Sequence, residues 1–215
     1  MLVRHFMSAG VYTLSPDAPC ADVLKMFRAK KIRRAPVLEH GKLVGMISER
    51  DLLRILPGTA GQLDTEAGAL SLSVPVRQIM TTQIHTVRPQ DPLHTAAQLM
   101  LQHRIGGLPV VENDEVRGML TESDVFRALW SVLAPDAGAC IVIEEPPSVA
   151  KTDAIDFAKL AVLHGCRLRA LIDVPQQDGG RYVHVCVDGA KLDAFVDAVW
   201  KQHARVMRVD KHGAP

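Results

Sequence analysis

The sequence predicts an α+β chain in which two copies of a β-α-β-β-α unit are followed by a βαββαβ segment. Three observations predict it. Residues 3 to 54 align without a gap on residues 76 to 127 at a constant offset of 73, the mark of an internal duplication. Each copy passes through the same order of apolar patterns and turn residues. Beyond Ala134-Pro135-Asp136 the pattern changes, which marks a boundary. The predicted organisation is therefore residues 1–74 for the first repeat with its linker, 75–135 for the second repeat, and 136–215 for a C-terminal domain.

The duplication is dense. Val3-Arg4 matches Val76-Arg77, Met7 matches Met80, Thr13 matches Thr86, Pro16 and Pro19 match Pro89 and Pro92, and Pro36-Val37 matches Pro109-Val110. Gly45-Met46 matches Gly118-Met119, and Glu49, Asp51 and Arg54 match Glu122, Asp124 and Arg127. Val11-Tyr12-Thr13-Leu14 and Ile84-His85-Thr86-Val87 predict short strands, each stopped by a proline. Val23, Leu24 and Phe27, with Ala96, Ala97, Leu99 and Met100 in the second copy, recur at helical spacing. Ala35-Pro36-Val37-Leu38 and Leu108-Pro109-Val110-Val111 predict buried strands, turning at His40-Gly41-Lys42 and Asn113-Asp114-Glu115 into a partner strand. Ser48 and Thr121 stand at the N-cap of a closing helix. The stretch from Pro57 to Ser73 is small and polar and reads as a surface linker.

The C-terminal residues predict a strand at 139–144, a helix at 152–164 with Ala154, Ile155, Ala158, Leu160, Ala161 and Leu163 mostly on one side, and a strand at 167–174. Asp178-Gly179-Gly180 turns into an alternating strand, Tyr182 to Val187. Leu192, Phe195, Val196, Val199 and Trp200 give an amphipathic helix, and Arg205 to Val209 a last strand. This order is the ferredoxin-like one.

Composition excludes several classes. Twenty-five basic against 24 acidic residues give a net charge of +1, so no broad field draws the chain to nucleic acid or an acidic membrane. No apolar run reaches bilayer length and no leader is recognisable, so a cytoplasmic location is expected. Cys20, Cys140, Cys166 and Cys186 form no CxxC pair, which speaks against a zinc site and leaves no metal expected. They read as reduced core thiols; a redox switch between Cys140 and Cys186 requires the two on adjacent strands. The nine histidines are scattered, and no HExxH, nucleophile elbow, Walker loop or GxGxxG occurs, so no enzyme is expected.

A β-α-β-β-α unit ending in Gly-apolar-apolar-Ser/Thr-x-x-Asp resembles the CBS domain family, and two in tandem resemble the CBS pair called a Bateman module, over residues 1 to 130. The resemblance implies a ligand-sensing regulator binding AMP, ADP, ATP or S-adenosylmethionine in clefts between the repeats, without a cofactor. A hydroxyl and free backbone N–H groups at a helix start suit a phosphate, and an Asp three residues on suits ribose hydroxyls. By resemblance, one site combines Thr121, Ser123 and Asp124 with Ser15, Ile32 and Arg33; the other combines Ser48, Arg50 and Asp51 with Arg88, Ile105 and Gly106. Lys31, Arg33, Arg34 and Arg104 are placed to meet phosphate charge. The first set ranks ahead because two hydroxyls flank its Asp. The same Ser, Thr and Asp residues also serve as helix caps, which leaves a structural reading open.

In its order and its position after the repeats, the C-terminal segment resembles the ACT-like domain of acetoin-utilisation-type CBS proteins. Its first turn, Glu145-Pro146-Pro147-Ser148, lacks the glycine that amino-acid-binding ACT domains carry, so the resemblance implies packing or dimerisation. A homodimer and an unidentified protein target complete the expectation. The competing class is a constitutive interaction scaffold with empty clefts.

Overall fold

In the first repeat the alternation and turn residues produce what they predict. This computed structural model describes residues 1–55, 73–133, 138–149, 151–203 and 205–212. The linker read over Pro57 to Ser73, apart from Ser73 itself, and the boundary at Ala134-Pro135-Asp136 lie outside the described residues. A two-residue strand β1 (Ser8–Ala9) precedes α1 (Cys20–Lys30), β2 (Arg34–Glu39), β3 (Lys42–Ser48) and α2 (Glu49–Arg54). The second repeat follows with α3 (Leu93–His103), β4 (Gly107–Glu112), β5 (Glu115–Thr121) and α4 (Glu122–Leu133).

Both hairpins close through two-residue loops in which both residues have positive φ, His40 and Gly41 in one and Asn113 and Asp114 in the other. This geometry matches the right-handed twist of the flanking strands. Helix α1 starts after Pro19, ends on left-handed Lys31 and buries Val23, Leu24 and Phe27. Helix α3 repeats this between Pro92 and left-handed Arg104, burying Leu93, Ala96 and Met100.

The predicted strands at Val11–Leu14 and Ile84–Val87 shrink to single parallel bridges, Leu14 to Val37 and Val87 to Val110. Pro16 and Pro89 follow two residues later, and a residue without N–H ends the ladder.

The two repeats exchange their leading segments. Val3 N–H donates to Asp91 O at 3.0 Å, Arg4 N–H to Pro89 O at 2.9 Å, and Leu93 N–H to Met1 O at 3.0 Å, so residues 1–9 lie on the second repeat. At an offset of 73, Val76 donates to Ala18 O, Arg77 to Pro16 O, and Cys20 to Val74 O, so residues 74–81 lie on the first. Val76 is buried in the first repeat's core with Cys20, Val23, Phe27, Ile47 and Leu52, and its counterpart Val3 is fully buried. β1 pairs with β5 at Met119 and Gly118, and Thr81 bridges Met46. A Cβ at Gly118 would meet Ser8 O at 2.8 Å, and one at Gly45 would collide with the Met80 side chain, so the motif glycines admit the exchanged segments.

The described residues divide into two compact units, Met1–Phe126 and Arg127–Pro215. In the second, β6 (Gly138–Glu145), α5 (Ala154–Leu163), β7 (Cys166–Pro175), β8 (Arg181–Gly189), α6 (Leu192–Gln202) and β9 (Val206–His212) follow the βαββαβ order. The antiparallel sheet runs β7-β8-β6-β9, so β8 lies between the two strands joined through α5. Ile141, Ile143, Val183, Val185, Val187, Phe195 and Val199 fill its core.

Three expectations are corrected here. Helix α5 buries Phe157, Leu160 and Ala161, while Ile155 and Leu163 are exposed; a helix apolar on several sides offers more than one stripe, and the one carrying the aromatic ring is buried. Trp200 is likewise exposed although Phe195, Val196 and Val199 are buried. Cys140 and Cys186 are not reduced thiols but a disulfide, since the β6–β8 register sets them directly opposite. Cys20 and Cys166 are free and buried.

Candidate functional site

A cleft of about 640 Å³ opens in the first unit where the end of β3 and the start of α2 face the second repeat, within the size range of small-molecule sites. Its apolar surface comes from Met46, Ile47, Ile84, Ile105 and Pro109. Its charged rim carries Arg33, Arg34, Arg50, Arg54 and Arg104, five arginines against the three carboxylates of Glu49, Asp51 and Glu122. Backbone architecture delivers each group. Arg104 occupies the left-handed C-cap of α3 and precedes Ile105, Gly106 and β4. Ile84 and His85 arrive on the segment that follows the Thr81–Met46 bridge.

Asp51 is already engaged. One carboxylate oxygen accepts from Ser48 N–H at 2.9 Å and from Ser48 Oγ–H at 2.6 Å, and the Ser48 hydroxyl accepts from Asp51 N–H, making a reciprocal capping box. The other oxygen lies 3.8 Å from Arg54, and the side chain keeps 22% of its surface exposed. The α2 helix has only six residues, too short for its dipole to do the work expected of it. The arginines therefore supply the positive field. Asp124 makes the same bonds with Thr121, at 2.8 and 2.6 Å, but is only 3% exposed.

The side chain of Arg34 crosses to the second repeat. A Cβ at Gly106 would meet its guanidinium at 2.6 Å and the Glu122 carboxylate at 2.9 Å, and a Cβ at Gly107 would meet the guanidinium at 2.8 Å. At the offset of 73, these glycines stand where the first repeat has Arg33 and Arg34. Burial pulls the Arg34 guanidinium below the ordinary arginine range; Glu122 opposes that pull, while Arg33 and Arg50 add to it.

Of the residues expected to bind, the structure brings Ser48, Arg50, Asp51, Ile105, Gly106, Arg33, Arg34 and Arg104 together around this cleft. Arg88 does not join them: it is exposed, its N–H bonded to Asp91. Ser15 is exposed with its hydroxyl accepting from Asp17 N–H. Ile32 packs on the first repeat's core, and Lys31 is the exposed C-cap of α1. Thr121, Ser123 and Asp124 are not part of the lining either. The set ranked first in the sequence is thus not the one at this cleft.

The binding residues named from the sequence do not include Thr81, Gln83, Ile84, His85, Arg54 and Glu122. Arg54 was findable, three residues after Asp51 on a helix; the Thr81–His85 segment depends on the exchange. His85 stacks on His103 at 3.6 Å, while the counterparts 73 residues earlier, Tyr12 and Lys30, form a cation–π contact at 5.2 Å.

Among the described residues no group of three or more His, Cys, Asp or Glu is placed to hold a metal, and no helix is long and apolar enough to cross a membrane.

Such a tandem of exchanged β-α-β-β-α units defines a class, and the comparisons give it a family. The CBS domain profile matches residues 3–58 and 76–131, more than half of the chain. The chain belongs to the CBS domain family. It is similar to the crystal structure of a putative acetoin utilization protein, AcuB, from Vibrio cholerae, at 30% identity and a TM-score of 0.52 over 62% of this chain and 93% of that one. It is also similar to CBSX2 from Arabidopsis thaliana, solved in complex with AMP, at 27% identity and a TM-score of 0.51 over 61% and 97%. The CBS pair of protein MJ0100, solved with 5′-methylthioadenosine and S-adenosyl-L-methionine, matches at 26% identity and a TM-score of 0.50 over 60% and 95%. CBS-pair proteins of this kind are generally regulatory.

Proposed function

We propose that this chain is a non-catalytic regulatory protein that senses an adenosine nucleotide, AMP, ADP, ATP or S-adenosylmethionine, in its CBS pair. The observation that carries the reading is a cleft with an apolar wall, Ile84 and Ile105 among it, beside a surplus of arginine over carboxylate. Such a lining suits a flat base joined to an anionic chain. The adenosine compounds bound to CBSX2 and MJ0100 support it.

In this reading the C-terminal unit is an ACT-like domain with a packing role. Glu145, at the turn where amino-acid-binding relatives carry a glycine, is buried and bonded to Arg181 at 2.8 Å. The active form is a cytoplasmic homodimer that signals to a protein target, with no nucleic acid or membrane partner. Exposed Phe126, Leu129 and Trp130 on one face of α4 support the dimer.

Calorimetric titration of the purified chain with the four compounds tests the sensor. Saturable binding of at least one supports it, and no binding at millimolar concentration refutes it. A second reading, a constitutive scaffold, is favoured by one observation: both Asp51 and Asp124 bond the residue at the start of their helix, a structural role that needs no ligand. Thermal shift separates the two, because a ligand at 100 times its dissociation constant adds about 2.7 kcal/mol of stability.

A further inference from the structure

The Arg34 side chain stands apart from the rest of the cleft's arginines. It leaves its own repeat at the start of β2, runs into the space that Gly106 and Gly107 leave open, and ends beside Glu122. A guanidinium partly withdrawn from water, with two other arginines near it, is stabilised by whatever anion it faces. The carboxylate that offsets its burial is that of Glu122. A phosphate chain entering the cleft offers more charge and more acceptor oxygens than one carboxylate, and its fork-like geometry suits a guanidinium.

We propose that Arg34 is the specificity-determining residue of the cleft: standing near Glu122, it engages the phosphate chain of a nucleotide and selects di- and triphosphates over AMP and over S-adenosylmethionine. This rests on the nucleotide-binding reading and adds to it a ligand class and a residue that chooses. The Gly106–Gly107 pair makes room for it, because a Cβ at either position would have to displace the guanidinium. Glu122 is the internal competitor. S-adenosylmethionine, whose sulfonium is cationic, meets an unfavourable field from the surplus of arginine over carboxylate.

The test is calorimetric titration of the full-length chain with ATP, AMP, S-adenosylmethionine and inorganic tripolyphosphate, with thermal unfolding as a folding control. The wild type binds ATP at least about tenfold more tightly than AMP, the scale of one charge-assisted hydrogen bond. Arg34→Met lowers ATP affinity by a factor at least about tenfold greater than it lowers AMP affinity, so that the preference is lost, and it weakens tripolyphosphate binding at least as much as ATP binding. Glu122→Gln tightens ATP binding several-fold, and this gain disappears in the Arg34→Met/Glu122→Gln double variant. Arg34→Met weakening ATP and AMP alike, or Glu122→Gln leaving ATP affinity unchanged, overturns the role given to Arg34 and spares the nucleotide reading. A folded wild type that binds no adenine compound overturns both.

Discussion

Asp51 offers the sharpest separation of ligand binding from helix capping. Its one carboxylate oxygen is committed to Ser48 at 2.9 and 2.6 Å, whereas the other lies 3.8 Å from Arg54 in a side chain that is 22% exposed and lines the cleft. Asp51→Asn keeps an oxygen for the cap and removes the charge. The cap loses a charge-assisted component, which costs about 0.5–1 kcal/mol of stability. A ribose hydroxyl bonded to a carboxylate contributes about 1.5–3 kcal/mol, so nucleotide affinity falls roughly tenfold to a hundredfold. Asp124→Asn makes the same exchange in a residue only 3% exposed, and it costs at least as much stability with affinity unchanged. Calorimetric titration and thermal unfolding of both variants read the two effects separately. Affinity lost in Asp124→Asn and kept in Asp51→Asn would refute the placement of the site.

The asymmetry between the glycine pair and its Arg33–Arg34 counterpart predicts one nucleotide per chain; titration giving two equivalent sites contradicts it. His203 is buried beside Phe157, its Nδ1 3.6 Å from Glu145 and its Nε2 without a partner. Burial lowers its pKa from 6.5, with Glu145 opposing. The folded state thus binds this proton less readily than the unfolded one. Stability is held above about pH 6.5 and falls as the pH drops through that value toward the folded-state pKa, and His203→Leu flattens this part of a stability-against-pH curve. The Cys140–Cys186 bond closes a separation of 46 residues, worth up to about 4 kcal/mol in the chain-entropy account; a melting curve that dithiothreitol leaves unmoved would show the bond absent in solution. Phe126→Ser/Trp130→Ser converts the proposed dimer to monomer in light scattering, and a dimer surviving it moves the interface elsewhere.

What could be read from the sequence was what local chemistry decides. The positive-φ loops at His40-Gly41 and Asn113-Asp114, the cap at Ser48 and the helix faces of Val23, Leu24 and Phe27 each depend on neighbours within a turn or two. The rest depends on pairing across the chain. Period-two alternation places Cys140 and Cys186 on strands but leaves register open, so their pairing can be named from the sequence but not chosen over reduced thiols. The contribution of Ile84 and His85 follows from Thr81 meeting Met46, which no local pattern announces. The first-ranked site looked stronger for its hydroxyls, yet burial of Asp124 is a tertiary fact. Gly106 was visible as a site residue, whereas its reason, the guanidinium arriving from Arg34, was not.

The traded leading segments make the halves of this duplication mutually dependent. A fragment ending in α2 would lack Val74 to Thr81 and with them the hydrogen-bond partners of Cys20 N–H, Met46 and the carbonyls of Ala18 and Pro16. It would also expose the apolar surface that Val76 covers. Two separately expressed halves should therefore be insoluble alone and regain solubility when mixed, each completing its twin. The exchange predicts a single melting transition for the duplicated unit, even though its sequence reads as the same sentence written twice.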